Sequence, residues 1–188
     1  MRQSKAAKAE THQAIVAAAS RLFRARGVER TSVADVMQAA DKTHGGFYRH
    51  FATKDALLES ALDEAFAGME AVMADGMARA GRDGALRGFA AHYLGPDHVG
   101  DAGTGCPVAA LATEIAHAGE TVRQHFGAGV MRQIGLLAEG LDDPAPDGEA
   151  RAARAFAMAV GAVMIARASD PATGERVLSA VRAGLADL

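Results

Sequence analysis

The sequence predicts an all-α protein. Apolar residues recur at three- and four-residue spacing along most of the 188 positions. No run alternates apolar with polar over the length of a useful strand. The apolar share, 49% of residues, is rich in alanine, with only 5% aromatics and no Trp, a mixture that favours helix. Charged residues make up 23%, so a packed core is expected rather than disorder.

The elements follow in order. Ile15, Ala18, Ala19, Leu22 and Phe23 form one helical stripe, and Gly27 is a natural stop behind it. Thr31 and Ser32 precede Val33, Val36, Met37 and Ala40. Asp35 stands three residues after Ser32, the spacing of an N-terminal cap with a carboxylate in the first turn. A three-residue turn, Ala40-Asp41-Lys42, leads to Thr43, a second candidate cap opening a short helix through Phe51. Thr53 is a third cap, before a long helix carrying Leu58, Leu62, Phe66, Met69 and Met73, with Asp55 in its first turn. Residues 84–94 read as a short helix and 95–105 as a loop. Pro107 suits the first position of a helix with Val108, Leu111 and Ile115. Val122, Phe126, Val130, Ile134, Leu137 and Leu141 form another stripe, residues 142–148 a turn, and residues 149–169 and 173–186 two closing helices. The expected architecture has about nine helices. Residues 1–55 form a three-helix helix-turn-helix head, and residues 56–188 a larger helical body.

Several classes are excluded at this level. The longest uncharged apolar run, 155–166, is shorter than the roughly 20 residues a membrane span needs. The amino-terminal residues are charged and alanine-rich, so no secretory signal is expected. Cys106 is the single cysteine, which rules out an internal disulfide framework and fits a reducing cytoplasm. No Ser-His-Asp elbow, phosphate loop or dinucleotide fingerprint occurs, so neither an enzyme nor a cofactor is expected. Charge is distributed unevenly. Residues 1–60 carry ten Lys/Arg against six Asp/Glu, the remainder ten against seventeen, and all four lysines fall in the first part. A basic head on an acidic body points to an anionic partner for the head.

The head carries the chemistry. Phe47 and Phe51, four apart, share a face toward its core, leaving His44 with Tyr48, and Gly45 with Arg49, to look outward. Two adjacent glycines in a helix cost about 1 kcal/mol each relative to alanine. A sequence tolerates that cost where the backbone must approach something closely. Tyr48, His50 and Lys54 can donate to phosphates, and His44 and Arg49 can reach bases or phosphates. The caps Thr31, Ser32 and Thr43 leave helix amides pointing at an anion.

The run Ala14-Ile15-Val16-x-x-Ala19, Leu22-Phe23-x-x-x-Gly27, Thr31-Ser32-Val33-x-Asp35-Val36, Thr43-His44-Gly45-Gly46-Phe47-Tyr48-Arg49-His50-Phe51 and Lys54-Asp55-x-Leu57-Leu58 resembles the DNA-binding head of the TetR/AcrR family of bacterial transcriptional regulators. The resemblance implies a homodimer joined by its last two helices, whose heads enter successive major grooves of a palindromic double-stranded operator. It implies Thr43, His44, Gly45 and Gly46 on the recognition helix, and Tyr48, His50 and Lys54, with Thr31 or Ser32, on phosphates. Lys42 and Arg49 complete the candidate DNA-contacting set. It further implies a small-molecule effector held in the body, most members being repressors that the effector releases. Gly105-Cys106-Pro107-Val108-x-x-Leu111-Ala-x-Glu114 is similar to a helix start found in one branch of that family.

Phe66, Met69, Met73, Phe89, Tyr93, Cys106, Phe126 and Met131 are the candidate lining of an apolar effector pocket. Cys106 at a helix start is a candidate electrophile sensor, although a buried structural thiol is the simpler reading. Glu114 and His117 have the spacing of half a di-iron motif without the rest of it, and His92, His98 and Cys106 fit no common zinc spacing, so no metal is expected. Those histidines, with His125, are expected at the surface or a pocket edge. Small residues in 157–162 permit close packing, at a dimer interface or within the body. The rival class is a helical ligand- or partner-binding bundle that does not read DNA.

Overall fold

Ser32 settles where the second helix begins. Its hydroxyl oxygen accepts from the Asp35 amide at 3.1 Å, and the Asp35 carboxylate accepts from the Ser32 amide at 2.8 Å. Thr53 caps the long helix, its oxygen accepting from the Ala56 amide at 3.0 Å. The computed structural model describes residues 5–81, 84–141, 147–186 and 188, and among these it is all-α. Helices α1 (Lys5–Arg26) and α2 (Val33–Ala39) are followed by a 3-10 helix (His44–Arg49) and α3 (Lys54–Ala80). The body continues with α4 (Ala85–Tyr93), α5 (Pro96–Gly100), α6 (Pro107–Ile115), α7 (Glu120–Leu141), α8 (Asp147–Ala168) and α9 (Pro171–Ala186).

Two points differ from expectation. The stretch 95–105 is not all loop: Gly95 in an extended conformation and Pro96 at the first helical position start α5, whose His98 is buried. The element after Thr43 is a 3-10 helix, because Thr43 gives it no side-chain cap and two of its first three residues are glycine. Of the expected 142–148 turn, residues 142–146 lie outside the described residues, and Asp147 and Gly148 already belong to α8.

Two apolar clusters share α3. Its amino-terminal half supplies Leu57, Leu58, Ala61, Leu62 and Phe66 to the head core, alongside Ile15, Phe23, Val36, Met37, Phe47 and Phe51. Its second half supplies Met69, Met73 and Met77 to the body core, with Phe89, Tyr93, Leu137, Phe156 and Val163. Leu111, Ile115 and Val122 from the body also enter the head core. The division between residues 55 and 56 therefore falls in the first turn of a helix that serves both sides. No described helix is long and apolar enough to cross a membrane.

Candidate nucleic-acid interface

A tight turn folds the 3-10 helix back on α2. Asp41 takes a left-handed conformation (φ 56°), and the Lys42 amide donates to the Met37 carbonyl at 2.8 Å. Phe47 and Phe51 then stack at 5.8 Å between ring centres, 1% and 5% exposed. With those rings anchored, the opposite side of the turn faces solvent: Lys42, Thr43, His44, Gly45, Tyr48 and Arg49 are all exposed. Tyr48 meets the Phe47 ring edge-on yet is 71% exposed, so its hydroxyl end is presented outward. The 3-10 geometry changes the expected partnerships, since residues three apart now eclipse one another and Gly45 aligns with Tyr48. A Cβ added at Gly45 would meet nothing within 4 Å, and one at Gly46 would touch only Met37 and Thr43 at ordinary distances.

Other candidates are placed differently. Thr31 is fully buried and its hydroxyl donates to the Gly27 carbonyl at 2.8 Å, so it cannot clamp a phosphate. Ser32 beside it is exposed, though its hydroxyl also donates to Asp35 at 2.6 Å. Lys54 is half-buried; its Nζ donates to the Val28 carbonyl at 2.6 Å and lies 5.9 Å from the Phe23 ring centre. It ties the start of α3 to the α1–α2 turn, and its remaining N–H groups are what a phosphate can use. His50 is half-buried near His12, with ring centres 5.9 Å apart, and its Nδ1 is buried without a partner. Partial burial, then the neighbouring His12, Lys8 and Arg49, push its pKa down, so the ring favours its neutral form.

The structure adds a contact the sequence did not announce. Glu114, near the end of α6 in the body, accepts from the Val28 amide at 2.8 Å and the Glu29 amide at 3.1 Å in the head. Gly27 makes this approach feasible: its φ is +90°, and a Cβ there would overlap the Glu114 carboxylate. Arg24 of α1 makes a second link, its Nη1 donating to the Gly105 carbonyl at 2.6 Å. In the sequence Glu114 stood out in the short Gly105-to-Glu114 motif and in its spacing from His117, and neither pointed to the head.

In the body, Phe66, Met69, Met73, Phe89, Tyr93 and Cys106 are between 0% and 3% exposed and pack as core. Phe66 lies edge-on to half-buried Phe126 at 5.6 Å and against the backbone of Gly129. Met131 is 51% exposed, because it sits on the outer side of α7, and it lines no pocket with the others. A shallow groove between α3 and α7 is lined instead by Glu70, Ala74, Arg132, Gly135 and Glu139. Burial pushes the Cys106 thiol pKa up, opposite to what thiolate-based sensing needs. His98 is not at a surface or pocket edge but 4% exposed, fixed between the Tyr93 carbonyl and the Cys106 amide. Among the described residues no cluster of three or more His, Cys, Asp or Glu could hold a metal.

A short outward-facing turn on a small aromatic core, joined through α3 and α6 to a larger helical body, is a helix-turn-helix head on a helical body. Residues 15–61 match the family model for bacterial regulatory proteins of the tetR family. The regulator TtgR of Pseudomonas putida is 41% identical over 63 residues, 34% of this chain and 30% of that protein. The repressor BepR of Brucella suis is 36% identical over 73 residues, 39% of this chain and 35% of that protein. The chain thus spans about a third of the length of these curated relatives. A TetR regulator from Chloroflexus aurantiacus superposes with a TM-score of 0.77 at 27% identity, covering 95% of this chain and 93% of that one. The head of the chain, residues 15–61, thus matches the tetR family, and the chain as a whole shares the fold of a TetR regulator.

Proposed function

We propose that the protein is a cytoplasmic transcriptional regulator that binds a palindromic operator as a homodimer, most simply as a repressor released by a small molecule. The observation that carries the DNA-reading part is Gly45. It has no positive φ and open space around its missing side chain, so nothing inside the molecule calls for glycine there. An outside surface pressed against the backbone does. The exposed donors around it, Lys42, Thr43, His44, Tyr48 and Arg49, have the chemistry for phosphates and base edges. The rival reading, a bundle that does not touch DNA, leaves both the glycine and the family of the head without a reason.

Dimerisation is supported by α8, where Met158 (36% exposed), Ile165 (47% exposed) and Gly161, with open space above it, lie along one outer stripe. Release by an effector is supported by the links from α6 and its preceding loop to the head through Glu114 and Arg24, which let a change in the body reach the turn before α2. BepR, named as a repressor, supports the direction of regulation.

Fluorescence anisotropy of the promoter fragment next to the protein's own gene, against a scrambled duplex, tests the reading. Binding tighter to the promoter, with affinity falling steeply as salt rises, is expected. Equal affinity for both duplexes rejects sequence-specific regulation.

A further inference from the structure

Three helices bring polar groups to one buried point in the body. Tyr93 at the end of α4, Cys106 at the start of α6 and Gln133 in α7 are each 0% exposed. His98 of α5 closes one side, its Nε2 accepting from the Cys106 amide at 2.8 Å. Arg167 of α8 closes another, donating from Nε to the Val99 carbonyl at 3.0 Å and from Nη2 to the His98 carbonyl at 2.6 Å. The Cys106 thiol, beside the Tyr93 hydroxyl, points at Gln133 Oε1 at 3.7 Å.

Buried polar atoms in native proteins are almost always paired, and each exception needs a reason. Here the Tyr93 hydroxyl, Gln133 Nε2 and Arg167 Nη1 are all shielded from solvent; the Cys106 thiol is the one neighbour that engages the Tyr93 hydroxyl, and the other two have no hydrogen-bond partner. Two of the three can only donate, and the third can. Arg167 lies near Tyr93 and Cys106, and the Asp101 carboxylate is also within its reach. The surroundings beyond are apolar and aromatic, with Phe89 and Phe156 at 5.0 and 5.9 Å from the Tyr93 ring. Idle donors beside one guanidinium, with an aromatic wall behind, complement an anionic acceptor on an apolar frame.

We propose that this cluster is the polar end of an effector site, where Tyr93, Gln133 and Arg167 receive the carboxylate of a small hydrophobic acid. The assignment rests on reading the protein as a ligand-responsive regulator, and it makes Cys106 a lining thiol that is not covalently modified.

Benzoate, benzamide and toluene are the probes, titrated calorimetrically into the full chain as wild type, Tyr93→Phe and Gln133→Leu. Tyr93→Phe keeps the ring and removes only the hydroxyl. Benzoate is expected to bind at least tenfold more tightly than benzamide, with toluene weaker still, and each substitution is expected to reduce benzoate affinity tenfold or more. Absence of benzoate binding at millimolar concentration, or equal binding by wild type and both variants, overturns the assignment. Operator binding is measured on the same samples. A wild-type protein that binds operator but not benzoate defeats this site alone, whereas one that never distinguishes operator from scrambled duplex defeats the regulator reading.

Discussion

At Gly45 two demands on one residue pull in opposite directions. The position has ordinary backbone angles and room for a methyl group, so Gly45→Ala is expected to stabilise the head by about 0.5–1 kcal/mol. The same methyl stands where a groove would press, so operator affinity should fall while the urea midpoint rises. A variant that gains stability and keeps full affinity would show that the glycine faces nothing. His98 offers a second test at this scale. Burial holds its pKa down at about 4 against 6.5 for a free imidazole, with Arg167 adding to the effect and the hydrogen bond to Tyr93 opposing it. Above pH 6.5 the ring is neutral folded or unfolded and its contribution is constant. Between pH 6.5 and 4 only the unfolded chain takes up the proton, so stability should fall by about 3 kcal/mol as pH drops through that window. His98→Gln should flatten this part of the pH–stability profile, as followed by urea denaturation at several pH values; an unchanged slope would place the acid sensitivity elsewhere.

At the scale of elements, α6 works as a rigid bar with the buried Cys106 at its start and Glu114 near its end, holding the turn before α2. Glu114→Ala strips two amides of a charged acceptor and should lower stability by about 1–2 kcal/mol, the low end of such losses because Glu29 is exposed. Glu114→Gln keeps an acceptor oxygen and should recover much of it. Hydrogen exchange at Val28 and Glu29 checks the cause: those two amides should exchange faster in Glu114→Ala, and unchanged exchange would mean the carboxylate does not hold them. This link shows what a sequence does and does not display. Ser32 with Asp35, Thr53, Gly27, and the Phe47–Phe51 pair were legible because each acts within four residues of chain. Glu114 meets Val28 across 86 positions, and no local pattern encodes such a meeting. For the same reason Thr31 looked like an available cap although tertiary packing buries it, and His98 looked like a surface residue although α5 folds it inward. The 3-10 form of residues 44–49 was hidden because apolar spacing of four survives in Phe47 and Phe51 whichever helix connects them.

At the scale of the whole molecule, a palindrome needs two heads at a fixed distance, and the body must supply that spacing. The last two helices pack on one another, and in the proposed dimer the outer side of α8 meets the second copy. Met158 and Ile165 on it are exposed large apolar residues, seven apart and thus on one face, with Gly161 between them allowing close backbone approach. Because both side chains are partly exposed in the single chain, at 36% and 47%, replacing them should change its own stability by no more than about 1 kcal/mol. In the proposed dimer Met158→Glu with Ile165→Glu places like charges against their symmetry mates, and light scattering after size exclusion should report a dimer for the wild type and a monomer for the variant. Each head would then bind its half-site alone. The advantage of a tethered second head, a factor of about a hundred or more when the geometry fits, should disappear from the affinity for the full palindrome but not from that for a single half-site. A doubly substituted protein that stays dimeric would move the interface off this face of α8. One that is monomeric yet binds the palindrome as tightly as before would mean that the two heads are not spaced by the body.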